Sequence, residues 1–299
     1  MTDKQSSDVR RKVALLEGVA AGALFGTAAI FIRLLEGVSV FAIAFWRLVI
    51  AFCALAAIIF FLRKPFGFSL LRENFRRVLF LGVLIGLHFV FFVSAVVDTT
   101  ILNATVLVNT APIWSLIVSA LLLGAKPTCL VVLGLITSFS GVTIIATADA
   151  ASPTFSLNLK GDLEALLAAV VEAFYLSYGR DIRRKAPVLS LMLSIYLVSA
   201  FTVLVAAVLT MSALTFSPLS AEVVLLLFGL GVLPTALAHT LYFSSLFSLK
   251  SFETATLALL EPIGATLLGV FIFAEIPHFL FVLGAVLVLG GILSVAAGN

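Results

Sequence analysis

Runs of apolar residues long enough to cross a lipid bilayer recur about ten times along this 299-residue chain, near residues 13–33, 41–62, 78–97, 101–123, 128–147, 162–179, 188–210, 222–243, 254–273 and 278–297. A helical crossing takes roughly 20 residues. Inside hydrocarbon every backbone N–H and C=O must be bonded within the protein, so only helices and closed barrels can span. The runs are continuous rather than alternating in polarity, which sets a barrel aside. The expected fold class is therefore all-α integral membrane, with ten transmembrane helices. Composition agrees, since only 11% of residues are charged against roughly 25% in soluble domains. The connectors leave no room for a separate soluble domain.

The basic residues report topology. Lys4, Arg10, Arg11 and Lys12 precede the first run; Arg63, Lys64, Arg72, Arg76 and Arg77 follow the second; Lys126 follows the fourth. Arg180, Arg183, Arg184 and Lys185 follow the sixth and Lys250 the eighth, so fifteen of the 18 Lys and Arg fall on one side. The positive-inside rule then places both termini in the cytoplasm, and an even number of spans is required to do so. The net charge of +3 is used up by this asymmetry and points to no nucleic-acid partner. The first run exceeds a signal peptide in length and is expected to be retained. Cys53 and Cys129 lie in or beside apolar runs, where they read as small core residues.

The second half of the chain repeats the first. Thr110 to Pro127, TAPIWSLIVSALLLGAKP, aligns with Leu260 to Pro277, LEPIGATLLGVFIFAEIP, so that Pro112 meets Pro262 and Pro127 meets Pro277, each 150 residues on. The same offset carries Gly134 onto Gly284 and Gly141 onto Gly291, and an offset of 147 carries Glu17 onto Glu164 and Arg33 onto Arg180. Proline and glycine fix backbone geometry, so a shared register at these positions implies shared structure. The expected organisation is a cytoplasmic N-terminal tail (1–12), a first five-helix repeat (13–147), an external linker (148–161) and a second five-helix repeat (162–299). Because five is odd, the second copy enters the membrane inverted, the arrangement of transporters that bind substrate at mid-membrane between their repeats.

The paired segments ending GAKP and AEIP, each followed by a span with glycines seven apart, together with FWRLVIAF at Phe45 to Phe52, resemble the EamA-type families of the drug/metabolite transporter superfamily. The resemblance is nearest to exporters of aromatic amino acids and covers almost the whole chain. It implies export of a small metabolite across the cell inner (plasma) membrane by alternating access. Two departures separate the halves: Ala125 stands where the second copy has Glu275, and Ala111 where it has Glu261. A symmetric binding site is therefore not expected.

Ionisable groups inside a span cost about 2.5–3.5 kcal/mol on insertion scales and need a partner, a cavity or a task. Glu261 lies near the middle of its span directly before Pro262, whose ring removes one helix hydrogen bond. It reads as a carboxylate that holds a substrate ammonium or carries a proton, or as a buried acid satisfied by a neighbouring helix. Glu172 is followed by Tyr175 and Tyr178 at three-residue spacing, on nearly one face; together they would suit a zwitterion with a large side chain, or tie two helices together. His88 and His239 occupy near-equivalent repeat positions, with Phe91 and Phe92 after one and Tyr242 and Phe243 after the other. They could line the path and titrate, or serve as interhelical donors. Asn109 is a candidate carboxylate or carbonyl binder and Trp114 a candidate cavity wall, against helix cohesion and bilayer packing. Arg47, within the second span, reads as structural, snorkelling or pairing with Glu36 or Asp98, since in the resemblance that span is peripheral. Glu17 and Glu164 read as first-turn acids meeting a helix dipole.

These residues favour a secondary transporter of amino acids or related metabolites, with the bilayer as solvent, protons as a coupling partner through Glu172 or Glu261, no cofactor, and a monomer sufficient for both repeats. The alternative on the same fold is an organic-cation or drug exporter, with the acids and aromatics binding positive charge. No GxxxxGK[ST] loop suggests ATP use, and an intramembrane enzyme would need Gly-x-Ser-Gly, His-Glu-x-x-His or paired aspartates. The nearest serine motif, Ser138-Phe139-Ser140-Gly141, lacks the first glycine.

Overall fold

The computed structural model describes residues 3–64, 72–122, 124–148, 158–214, 220–273 and 279–298. Among these the chain is helical, with no strand. The helices are α1 (Asp3–Phe25), α2 (Ala28–Leu34), α3 (Val40–Phe61), α4 (Phe75–Asp98), α5 (Ile101–Val108), α6 (Ala111–Leu122), α7 (Cys129–Ala148), α8 (Leu159–Arg183), α9 (Val188–Leu209) and α10 (Ala221–Leu230). A π-helical segment, Gly231–His239, leads into α11 (Thr240–Ser245). Then come α12 (Ser251–Leu257), a 3-10 turn over Ala258–Leu260, α13 (Glu261–Phe273) and α14 (Phe279–Ala297). Seven helical stretches among the described residues are long and apolar enough to cross a membrane, and Cys129–Ile145 is a shorter apolar one. The protein is a multi-pass membrane protein.

Local sequence sets several ends. Ser39, Thr100 and Ser220 cap α3, α5 and α10, each side chain accepting from the N–H three residues on, which satisfies a donor the helix leaves orphaned. Gly124, just past α6, has φ +65°, a left-handed conformation that costs glycine nothing.

α1 begins at Asp3, so most of the segment read as a tail is helix. Glu17 consequently sits well inside α1 and not in a first turn; it accepts a hydrogen bond from Ser244 Oγ at 2.9 Å. Most of the expected linker (149–157), Glu275 and Pro277 lie outside the described residues. Cys53 and Cys129 are free and exposed, a correction to their reading as core. In a bilayer the outer face is as apolar as the interior, so an apolar neighbourhood does not tell the two apart.

With no hydrophobic drive between helices in lipid, cohesion comes from close packing and polar contacts. The most extensive packing joins α7 to α14. A Cβ on Gly141 would lie 2.6 Å from the Gly284 carbonyl oxygen, and one on Gly134 2.8 Å from that of Gly291. Ser138 Oγ donates to Val288 O at the same crossing, 3.3 Å away. α8 packs along α4, and α4 and α3 both pack on α9. Away from the centre, Arg11 on α1 pairs with Glu253 on α12 at 2.6 Å. Lys160 on α8 pairs with Asp98 at the end of α4 at 2.7 Å. That hydrogen bond and the Asp98 charge raise the Lys160 ammonium above its ordinary pKa.

Candidate functional site

Four helical stretches are interrupted beside one cavity. α1 breaks from α2 at Gly26–Thr27, α5 from α6 at Asn109–Thr110, and α12 from α13 at the 3-10 turn; α10 becomes π-helical around Pro234. Such irregular backbone is tolerated at membrane depth only where protein or a cavity shelters it, and π segments gather at functional sites. The interruptions here surround one cavity of about 40 Å³. Phe25 and Ala28 reach it from the first break, Asn109, Ala111 and Pro112 from the second, Ala258 and Glu261 from the third, and His239 from the end of the π segment. α3 adds Arg47, α4 adds His88, Phe89 and Phe92, and α8 adds Glu172.

Glu261 is the first residue of α13, and Asn109 Nδ2 donates to its Oε2 at 3.3 Å while also donating to Thr105 O at 2.8 Å. Glu172 Oε2 lies 3.9 Å from His88 Nδ1. That nitrogen donates to Ala168 O at 3.0 Å; because a carbonyl only accepts, Nδ1 carries hydrogen and the neutral ring keeps Nε2 as acceptor. The two histidine rings are 6.1 Å apart, and His239 is held edge-on by Phe89 at 4.8 Å and tilted against Phe25 at 4.7 Å. Both acids are 6% exposed, a placement that demands compensation for lost water.

Of the nine residues singled out from sequence, Glu261, Glu172, Asn109, His88 and His239 come together on the cavity wall. Four are not on that wall. Tyr175, on α8, is buried off the wall, its hydroxyl donating to Met192 Sδ and its ring on Phe243. Tyr178 is 42% exposed and packs on Phe80 and Phe174. The one-face reading fails here because each three-residue step falls about 60° short of a full turn, so two steps carry Tyr178 round to the outside. Tyr242 is buried directly behind the wall, edge-on against Phe25 and His239 with its hydroxyl beside Glu172, and Trp114 Nε1 donates to Thr110 Oγ1.

Arg47 is a correction. It neither snorkels nor pairs with Asp98, whose carboxylate holds Lys160. It is 1% exposed, its Cζ 4.1 Å from the centroid of Phe89. Its Nε donates to Thr235 Oγ1 at 2.9 Å, and Thr235 Oγ1 donates to Leu230 O, five residues back along the π segment. Tyr196 completes the clamp by donating to Thr235 O at 2.7 Å. The signal was present in the sequence: a charge two turns inside an apolar run marks a site by the same rule that singled out the acids.

The arrangement offers carboxylates, imidazoles, an amide and one guanidinium against an aromatic wall, in a space too small to take a metabolite without movement of the surrounding helices. The family model for EamA-like transporters matches the chain twice, over residues 12–147 and 159–297. A solved crystal structure shares the fold with a TM-score of 0.80 at 20% identity, covering 94% of this chain and 95% of its own. No curated protein matches.

Proposed function

The chain belongs to the EamA-like transporter family, and on that premise we propose that it exports amino acids, aromatic or other neutral ones, and related small metabolites by alternating access at the central cavity. The observation that carries this reading is the convergence of four interrupted helices on a cavity holding Glu172, Glu261, His88, His239 and Asn109. Half-helix ends and bare carbonyls at mid-membrane are how many secondary transporters build a substrate site. Glu261, oriented by Asn109, takes the substrate ammonium; Phe25, Phe89 and Phe92 take an apolar side chain. Glu172 beside His88 is placed to exchange a proton.

The proposed architecture is ten spans in two inverted five-helix repeats, both termini cytoplasmic, in the cell inner membrane, working as a monomer. Two matches of one family model support it. So does the α7–α14 crossing, where Gly134 meets Gly291 and Gly141 meets Gly284. Each glycine contacts the repeat equivalent of the other, the pattern that a two-fold axis imposes.

The test is flux of radiolabelled phenylalanine and threonine into proteoliposomes, for the wild type and Glu261→Gln, with and without a pH gradient. The proposal expects saturable amino-acid flux that the substitution removes. Flux of an organic cation with none of either amino acid would overturn it in favour of a drug-type exporter.

A further inference from the structure

The cavity sorts its charges without letting them cancel. Both acids have their own neighbours, Glu261 at Asn109 and Glu172 near His88. Arg47 lines the same space, yet no ion pair joins it to an acid among the described residues. The side chain is not loose: Nε is fixed on Thr235, and the guanidinium face lies on the Phe89 ring. Nη1 has no hydrogen-bond partner among the described residues. A buried donor left unmatched costs stability, and a guanidinium held by one edge presents the other edge in the geometry that a carboxylate accepts.

We propose that Arg47 is the carboxylate-binding residue of the central cavity, and that Arg47 and Glu261 on separate helices select zwitterions, with carboxylate and ammonium both present, over amines. This rests on the amino-acid reading above and deepens it. An organic cation has no use for a fixed cation in its site and is repelled by it, whereas a free acid without an ammonium leaves Glu261 unanswered. The aromatic side chains of the cavity wall meet the apolar body of the substrate. A merely structural Arg47, pinning the π segment through Thr235, would lower stability without changing which ligand the cavity prefers.

The experiment is competition of labelled phenylalanine or threonine flux in proteoliposomes by unlabelled phenylalanine, phenylalanine amide and 3-phenylpropionate. Phenylalanine amide keeps the ammonium and lacks the carboxylate; phenylpropionate does the reverse. In the wild type, phenylalanine should compete about 10- to 100-fold better than its amide, the worth of one charge-assisted hydrogen bond. In Arg47→Gln the ratio should collapse towards one, and Arg47→Lys, which keeps the charge without the fork, should fall between. Amino-acid flux with an amide that competes as well as phenylalanine in the wild type overturns the role of Arg47 while leaving the amino-acid reading intact; that arm needs no variant to fold. An unchanged ratio in Arg47→Gln would overturn it equally. Absence of flux for both amino acids, with an organic cation transported, removes the reading beneath it.

Discussion

Replacing Gly141 by alanine probes the contact that holds α7 to α14. The added Cβ would lie 2.6 Å from Gly284 O and 2.7 Å from Val288 N, both backbone atoms that no rotamer change can move. Carbon contacts settle at about 3.5 Å or more, so the helices must separate by roughly 0.9 Å, loosening the Ser138–Val288 hydrogen bond with them. Overpacking of this kind costs about 1–3 kcal/mol, against about 0.8–1.0 kcal/mol gained in helix propensity when glycine becomes alanine. Gly290 is the internal control: it lies on the same α14, and a Cβ there meets nothing within 4 Å, so Gly290→Ala keeps the propensity gain alone. Thermal unfolding in one detergent, read by tryptophan fluorescence, should place Gly141→Ala below the wild type and Gly290→Ala at or above it. The difference between the two variants should be at least about 1 kcal/mol, or a few degrees in Tm for a chain of this size. If Gly141→Ala melts with Gly290→Ala, the close approach is not holding the helices and the reasoning fails.

Arg11→Gln and Glu253→Gln should each lower stability, and the double variant should lose less than the sum, because Glu253 is buried and its single partner change leaves a charge stranded; a double-mutant cycle in thermal melts reads this, and simple additivity would contradict it. Ser39→Ala should cost about 0.5–2 kcal/mol through loss of the α3 cap, seen in the same assay. A maleimide should label Cys129 in the folded protein, since it is exposed at the first residue of α7; protection until denaturation would refute its placement.

Helix existence was legible from apolar run length, because a bilayer leaves no alternative element. The interruptions were harder to read. Pro112 and Pro262 marked two of them and Pro234, which drew no reading of its own, stands in a third, but α1 breaks at Gly26–Thr27 in a stretch where glycine looks like ordinary packing. The cavity acids announced themselves through the cost of charge in lipid. The tyrosines did not separate so cleanly, since three-residue spacing drifts round the helix and places Tyr175 and Tyr178 in different surroundings. Arg47 was judged by its distance from the helix end, whereas its environment depends on Thr235, 188 residues away, a contact that no local pattern records.

The α7–α14 crossing has a mechanical consequence. Backbone meets backbone there at two places, Gly134 against Gly291 and Gly141 against Gly284, so the pair has little slack for sliding or for swivelling and behaves as one stiff bar. Under the alternating access proposed above, the bar would move whole, and a short cross-linker set across the two glycine pairs should leave flux unchanged.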